Sequence, residues 1–77
     1  MDWKEKDNRL VKEFQFKNFK EAVEFVNKIL PIAEKQEHHP DILLYEYKRV
    51  RVMIYTHDEN RITDKDYKLA EAIDNIS

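Results

Sequence analysis

The side chains in this chain best suited to chemistry are its three histidines, and they fall in only two places. His38 and His39 stand in the run Glu37-His38-His39-Pro40, and His57 stands in Thr56-His57-Asp58. Imidazole exchanges protons near neutrality, with an unperturbed pKa of ~6.5. Each group adjoins a carboxylate, Glu37 in the first and Asp58 in the second. Two further carboxylates are in reach: Glu34, one helical turn before His38, and Asp66, in the first turn of a predicted helix beyond the loop after His57. Histidines beside orienting carboxylates suit general acid–base catalysis, with His38, His39 and His57 as the proton carriers. Two other readings use the same residues. Three histidines suffice for a catalytic zinc, as in a zinc hydrolase. Adjacent His38 and His39 project in different directions, however, which disfavours their reaching one ion, so no metal is expected. Alternatively, the residues only finish elements: Asp66 caps its helix, His38 covers the end of the first helix, and His57 is a solvated strand terminus. The gathering of every histidine into two short junctions favours catalysis.

The elements on either side must bring those junctions together. Asp2 to Lys6 reads as a weak first strand around Trp3, and Asp7-Asn8 as a two-residue turn whose residues tolerate positive φ. Arg9 to Phe16 alternates, with Leu10, Phe14 and Phe16 on one face and Val11, Glu13 and Gln15 on the other. Lys12 is the exception. Asn18 with Glu21 signals a helix start. Phe19, Ala22, Val23, Val26, Ile29, Leu30 and Ala33 then follow at helical spacing. Pro31 predicts a kink or restart, because proline inside a helix costs ~3 kcal/mol. Ile42 to Tyr47 and Arg49 to Thr56 read as two strands joined by a hairpin, with Val50, Val52 and Ile54 on one face. Thr63 and Asp66 form a capping box, with Ile62 and Tyr67 as its hydrophobic staple. Leu69, Ala70, Ile73 and Ile76 line the last helix. The order strand, strand, helix, strand, strand, helix predicts an α+β two-layer sandwich: a four-stranded antiparallel sheet with both helices on one face.

Composition sets the remaining bounds. Seventy-seven residues make one small domain, which buries only ~60% of its unfolded surface, so self-association is expected. There is no cysteine, consistent with a reducing, cytoplasmic setting. No apolar run approaches the ~20 residues of a membrane span. The net charge of −2 with interspersed signs gives no case for nucleic-acid or membrane binding. Lys48, Arg49 and Arg51 read as a solvated strand face. Glycine is absent, so turns are expected to rest on Asn, Asp or Pro.

The segments Ala33 to Pro40, Thr56-His57-Asp58 and Thr63-Asp64-Lys65-Asp66 resemble the pterin-4a-carbinolamine dehydratases, known in some animals also as the dimerisation cofactor of a homeodomain transcription factor. The stretch Phe14-Gln15-Phe16-Lys17-Asn18-Phe19, followed by Ala22 and Phe25, is similar to that family's strand-to-helix entry, and so is Trp3 at the start. The resemblance covers nearly all of residues 1–77. It implies a homodimer or homotetramer that binds a reduced pterin and dehydrates 4a-hydroxytetrahydropterin to the quinonoid dihydropterin, with no cofactor. One of His38, His39 and His57 would protonate the departing hydroxyl and another would take the N5 proton. Glu34 and Asp66 would orient them or hold the pterin, and Pro40 would shape the pocket rim. Glu37, Thr56 and Asp58 join the same binding or orienting group. Three departures stand out: the family's leading helix has no counterpart ahead of Trp3, Ile42 stands where an aromatic ring is common, and the loop Asp58 to Arg61 lacks glycine, leaving Asn60 to take positive φ. The altered pocket rim and the missing leading helix support the alternative of a non-catalytic protein-interaction or dimerisation module of the same fold.

Overall fold

The computed structural model describes residues 2–77 and contains β1 (Lys4–Lys6), β2 (Arg9–Gln15), α1 (Phe19–Gln36), β3 (Asp41–Tyr45), β4 (Arg49–Ile54) and α2 (Asp64–Ile76). The strands form one antiparallel sheet in the order β1-β2-β4-β3. The register pairs Leu10 with Ile54, Lys12 with Val52 and Phe14 with Val50. Period-two alternation therefore places Leu10, Phe14, Val50, Val52 and Ile54 on one face, and all five are buried. Both helices cover that face: Ala22, Phe25 and Ile29 of α1 and Leu69, Ala70 and Ile73 of α2 join the same core. The expected α+β architecture is thus the observed one.

Lys12 lies on the core face without breaking the alternation. Its ammonium lies 6.0 Å from the Trp3 ring centroid, 4.9 Å from the Phe14 ring centroid and 2.8 Å from Asp74 Oδ1. The same Asp74 carboxylate accepts the Trp3 indole N–H at 3.1 Å. A long cation can line a core where its head reaches an acid at the rim.

Helix α1 is a single helix, contrary to the break expected at Pro31. The buried stripe Ala22, Phe25, Ile29 and Ala33 runs through the proline position, while Pro31 itself faces outward. Burial of Phe25 and Ile29 contributes ~1.5–3 kcal/mol each, enough to offset one lost hydrogen bond on the exposed side. Phe25 belongs to that stripe, whereas Phe19 and Leu30 are exposed.

The glycine-free turns also differ from expectation. Asp7 (φ 53°), Asn8 (φ 62°) and Asn60 (φ 52°) take the left-handed conformation as anticipated, but so do Glu37 (φ 51°), Glu46 (φ 48°) and Tyr47 (φ 53°). The β3–β4 hairpin turns through Glu46, Tyr47 and Lys48, so β3 ends at Tyr45 and not at Tyr47. The Lys48 carbonyl accepts the Phe16 N–H at 2.8 Å, anchoring this turn to the end of β2.

Candidate active site

His38 is aimed by the way α1 ends. Glu37 adopts the left-handed conformation and donates its N–H to Glu34 O at 3.2 Å, and the His38 N–H reaches back to Ala33 O at 3.1 Å. This pair of bonds is a Schellman ending, which satisfies the last carbonyls and turns the chain sharply. The turn carries the His38 imidazole across to α2, where its Nε2 lies 2.5 Å from Asp66 Oδ1. His38 is half-buried and Asp66 is fully buried.

Asp66 holds three elements at once. Its Oδ2 accepts the Thr63 N–H at 2.7 Å, closing the capping box of α2. The same oxygen accepts the Thr56 hydroxyl at 2.9 Å. Thr56 has one proton and spends it there, so its 2.6 Å contact with Thr63 Oγ1 has Thr63 donating. Capping and orientation of His38 are therefore two roles of one carboxylate.

His39 pairs differently. Its Nε2 lies 2.5 Å from Glu34 Oε2, and both side chains are more than half exposed. Glu34 was placed near His38 by helical spacing; the left-handed Glu37 brings it to His39 instead. His57 opens a tight turn closed by the Thr56–Arg61 bridge, with Asn60 N donating to Thr56 O at 2.8 Å. Its ring lies 4.4 Å from that of Tyr55, tilted 35°, and Arg9 covers the Tyr55 ring at 4.3 Å. Among the described residues no hydrogen bond holds the His57 imidazole.

These pieces surround one open cavity of about 170 Å³, lined by Glu37, His38, His39, Thr56, His57, Asp58 and Lys65. All three histidines thus line a shared hollow. Glu34 and Asp66 stand outside the lining, each behind one imidazole, and Pro40 is outside it too. Lys65 is the addition that sequence reasoning missed. Its signal was its place in the first turn of α2, two residues after the Thr63 cap, on the end that faces His38. Among the described residues no group of three or more His, Asp or Glu is arranged to hold a metal ion.

The family model for pterin 4 alpha carbinolamine dehydratases matches residues 1–76. The chain belongs to this family. A protein of Sulfolobus acidocaldarius that carries the family's name is 50% identical over 74 residues, covering 96% of this chain and 80% of that one. One from a Picosynechococcus strain is 44% identical over 75 residues, covering 97% and 80%. Among solved structures, a transcriptional coactivator/pterin dehydratase from Brucella melitensis superposes with a TM-score of 0.88 at 36% identity, over 96% of this chain and 80% of that one. A pterin dehydratase-like protein identified as a RuBisCO assembly factor in the alpha-carboxysome shares the fold, with a TM-score of 0.79 at 19% identity over 97% of this chain and 88% of that one. The resemblance read from the double histidine before Pro40 is borne out at the level of the family.

Proposed function

We propose that this protein dehydrates a 4a-hydroxytetrahydropterin to the quinonoid dihydropterin. The observation that carries the reading is the convergence of His38, His39 and His57 on one hollow, with carboxylates behind two of them. In the reaction the C4a–O bond breaks, a proton is delivered to the departing hydroxyl and N5 gives up its proton. The electron pair left at N5 closes the new N5=C4a bond. One imidazole supplies the proton that completes water and another accepts the N5 proton. Exchange with solvent then resets both.

The hydrogen bonds support the following reading of the atoms involved. In His38 and His39, Nε2 is committed to a carboxylate, so Nδ1 is the nitrogen left free to exchange a proton. Asp66 and Glu34 act as positioning residues that fix each ring and its tautomer. His57, held only by stacking on Tyr55, exchanges freely with water. The cavity holds the reacting edge of a bicyclic ring, and the reading includes a cytoplasmic homodimer or homotetramer. No helix among the described residues is long and apolar enough to cross a membrane.

The test is turnover of a 4a-hydroxytetrahydropterin by His39→Ala. A positioned acid or base contributes ~10²–10⁴-fold, so kcat falls by two or more orders of magnitude while far-UV circular dichroism stays that of the parent. Parental turnover in this variant refutes the assigned role. A pterin dehydratase-like protein identified as an assembly factor shares the fold, so binding of a reduced pterin without turnover in the parent protein would instead identify a non-catalytic module.

A further inference from the structure

The histidine cavity does not end at His38. A second groove, of about 890 Å³, runs on from it between the last turn of α1 and the first half of α2, and the two share Glu37, His38 and Lys65 in their linings. The histidine hollow alone is smaller than the ~300–1,000 Å³ usual for a small-molecule site. A pterin whose reacting edge lies among the imidazoles has room to lay its substituent along this groove.

The chemistry of the groove is uneven. Ile32 and Ala72 form an apolar floor, and Lys35, Lys65 and Lys68 stand around it against a single lining carboxylate, Glu37. None of the three lysines lies within ion-pair distance of a carboxylate among the described residues, although the chain as a whole carries a net charge of −2. At the adjoining histidine site Asp66 and Glu34 are engaged with His38 and His39, and the carboxylates in the lining itself are Glu37 and Asp58. Three uncommitted ammonium groups on two helices thus converge on one cleft that opens directly into the reaction cavity. Ammonium groups serve as point-charge partners for phosphate, and a cleft lined by one sign of charge concentrates the opposite sign.

Building on the dehydratase reading, we propose that the substrate is a reduced pterin whose side chain ends in a phosphate ester, with the ring among the histidines and the phosphate held by Lys35, Lys65 and Lys68. Apolar contact with Ile32 and Ala72 accommodates the short carbon linker, and the lysines discriminate by charge.

The probes are 6-hydroxymethyl-7,8-dihydropterin and its diphosphate ester, titrated into the full chain by calorimetry at low and high salt. Exposed ion pairs are individually weak, so the ester is expected to bind on the order of tenfold more tightly at low salt. Screening reduces that advantage as ionic strength rises. The double variant Lys35→Gln/Lys68→Gln brings the ratio of the two affinities toward one, whereas Lys20→Gln, elsewhere on α1, leaves it as in the parent. Equal affinity of the parent for both compounds overturns the inference while leaving the dehydratase reading intact, and so does a preference that survives the double variant. Failure of both compounds to bind also overturns the inference, and turnover of a 4a-hydroxytetrahydropterin then decides the dehydratase reading by itself.

Discussion

Among single residues Asp66 carries the most consequence. Its two oxygens accept from His38, Thr56 and the Thr63 N–H. Asp66→Asn keeps the size but offers one acceptor oxygen where the site uses two, and sets an amide N–H against groups that are themselves donors. Leaving a buried donor unpaired costs ~1–3 kcal/mol. Asp66→Asn is therefore expected to lower the unfolding free energy by about that amount and to lower kcat, with no change in oligomeric state. Denaturant titration and turnover on one preparation check both. A normal kcat in the destabilised variant would confine Asp66 to capping. The two roles of this residue explain why the sequence showed only half of it. The Thr63–Asp66 spacing spells a capping box, but nothing local in the sequence shows that the second oxygen reaches a histidine 28 positions away.

At the scale of elements, the outcomes separate by what is local. Strand faces, both helix starts and the last helix stripe were legible, because period and capping residues are written in consecutive positions. The turn at Glu46-Tyr47 was not, since neither residue prefers a positive φ; the pairing of Tyr45 with Arg49 imposes it. The continuity of α1 through Pro31 was equally hidden, because tertiary burial of Phe25, Ile29 and Ala33 decides it. Pro31→Ala restores an N–H donor on the exposed side, so it is expected to raise stability by up to ~3 kcal/mol, read as a higher midpoint in urea. An unchanged or lower midpoint would mean that the proline fits α1 without strain.

The outer face of the sheet offers a pH readout at the same scale. Glu13 faces Arg51 across β2 and β4 and accepts from Arg51 Nε at 2.6 Å and from the Tyr45 hydroxyl at 2.8 Å. Burial pushes its carboxyl up, but the Tyr45 and Arg51 hydrogen bonds and the charges of Arg51 and Arg49 outweigh this and hold it below the ordinary value of 4.5. A carboxyl depressed in the folded state adds stability that is fully present above pH 4.5 and lost as pH falls through the lower folded value. The pair is exposed and screened, so its contribution is small. Glu13→Gln should therefore flatten the acid limb of the stability profile below pH 4.5, an effect that 1 M salt reduces. An unaltered acid limb would show that the cluster contributes nothing to folding.

For the molecule as a whole, the two ends of the chain are fastened to each other. Trp3, ahead of β1, and Asp74, in the last turn of α2, meet through the indole N–H, and Lys12 binds the same carboxylate from the core face. With only a small core available, closure of this kind matters more than in a larger domain. Asp74→Ala leaves the buried indole N–H and a half-buried ammonium without their acceptor. The expected loss is ~1–3 kcal/mol, and each kcal/mol lowers Tm by roughly 4–8 °C in a domain of this size. A Tm equal to the parent's would show that solvent replaces the carboxylate at no cost. The histidine site lies at the α1–α2 junction, away from this fastening, so pterin affinity at 25 °C is expected to persist in Asp74→Ala.

The hydrogen bond from the Thr63 amide to Asp66 ties the readiness of the histidine pocket to one exchangeable proton. Whenever the first turn of α2 frays, that proton becomes free to swap with deuterium and His38 loses its anchor in the same event. The rate at which a single backbone position takes up label is thus a running gauge of how often the histidine pocket stands assembled, before any ligand arrives.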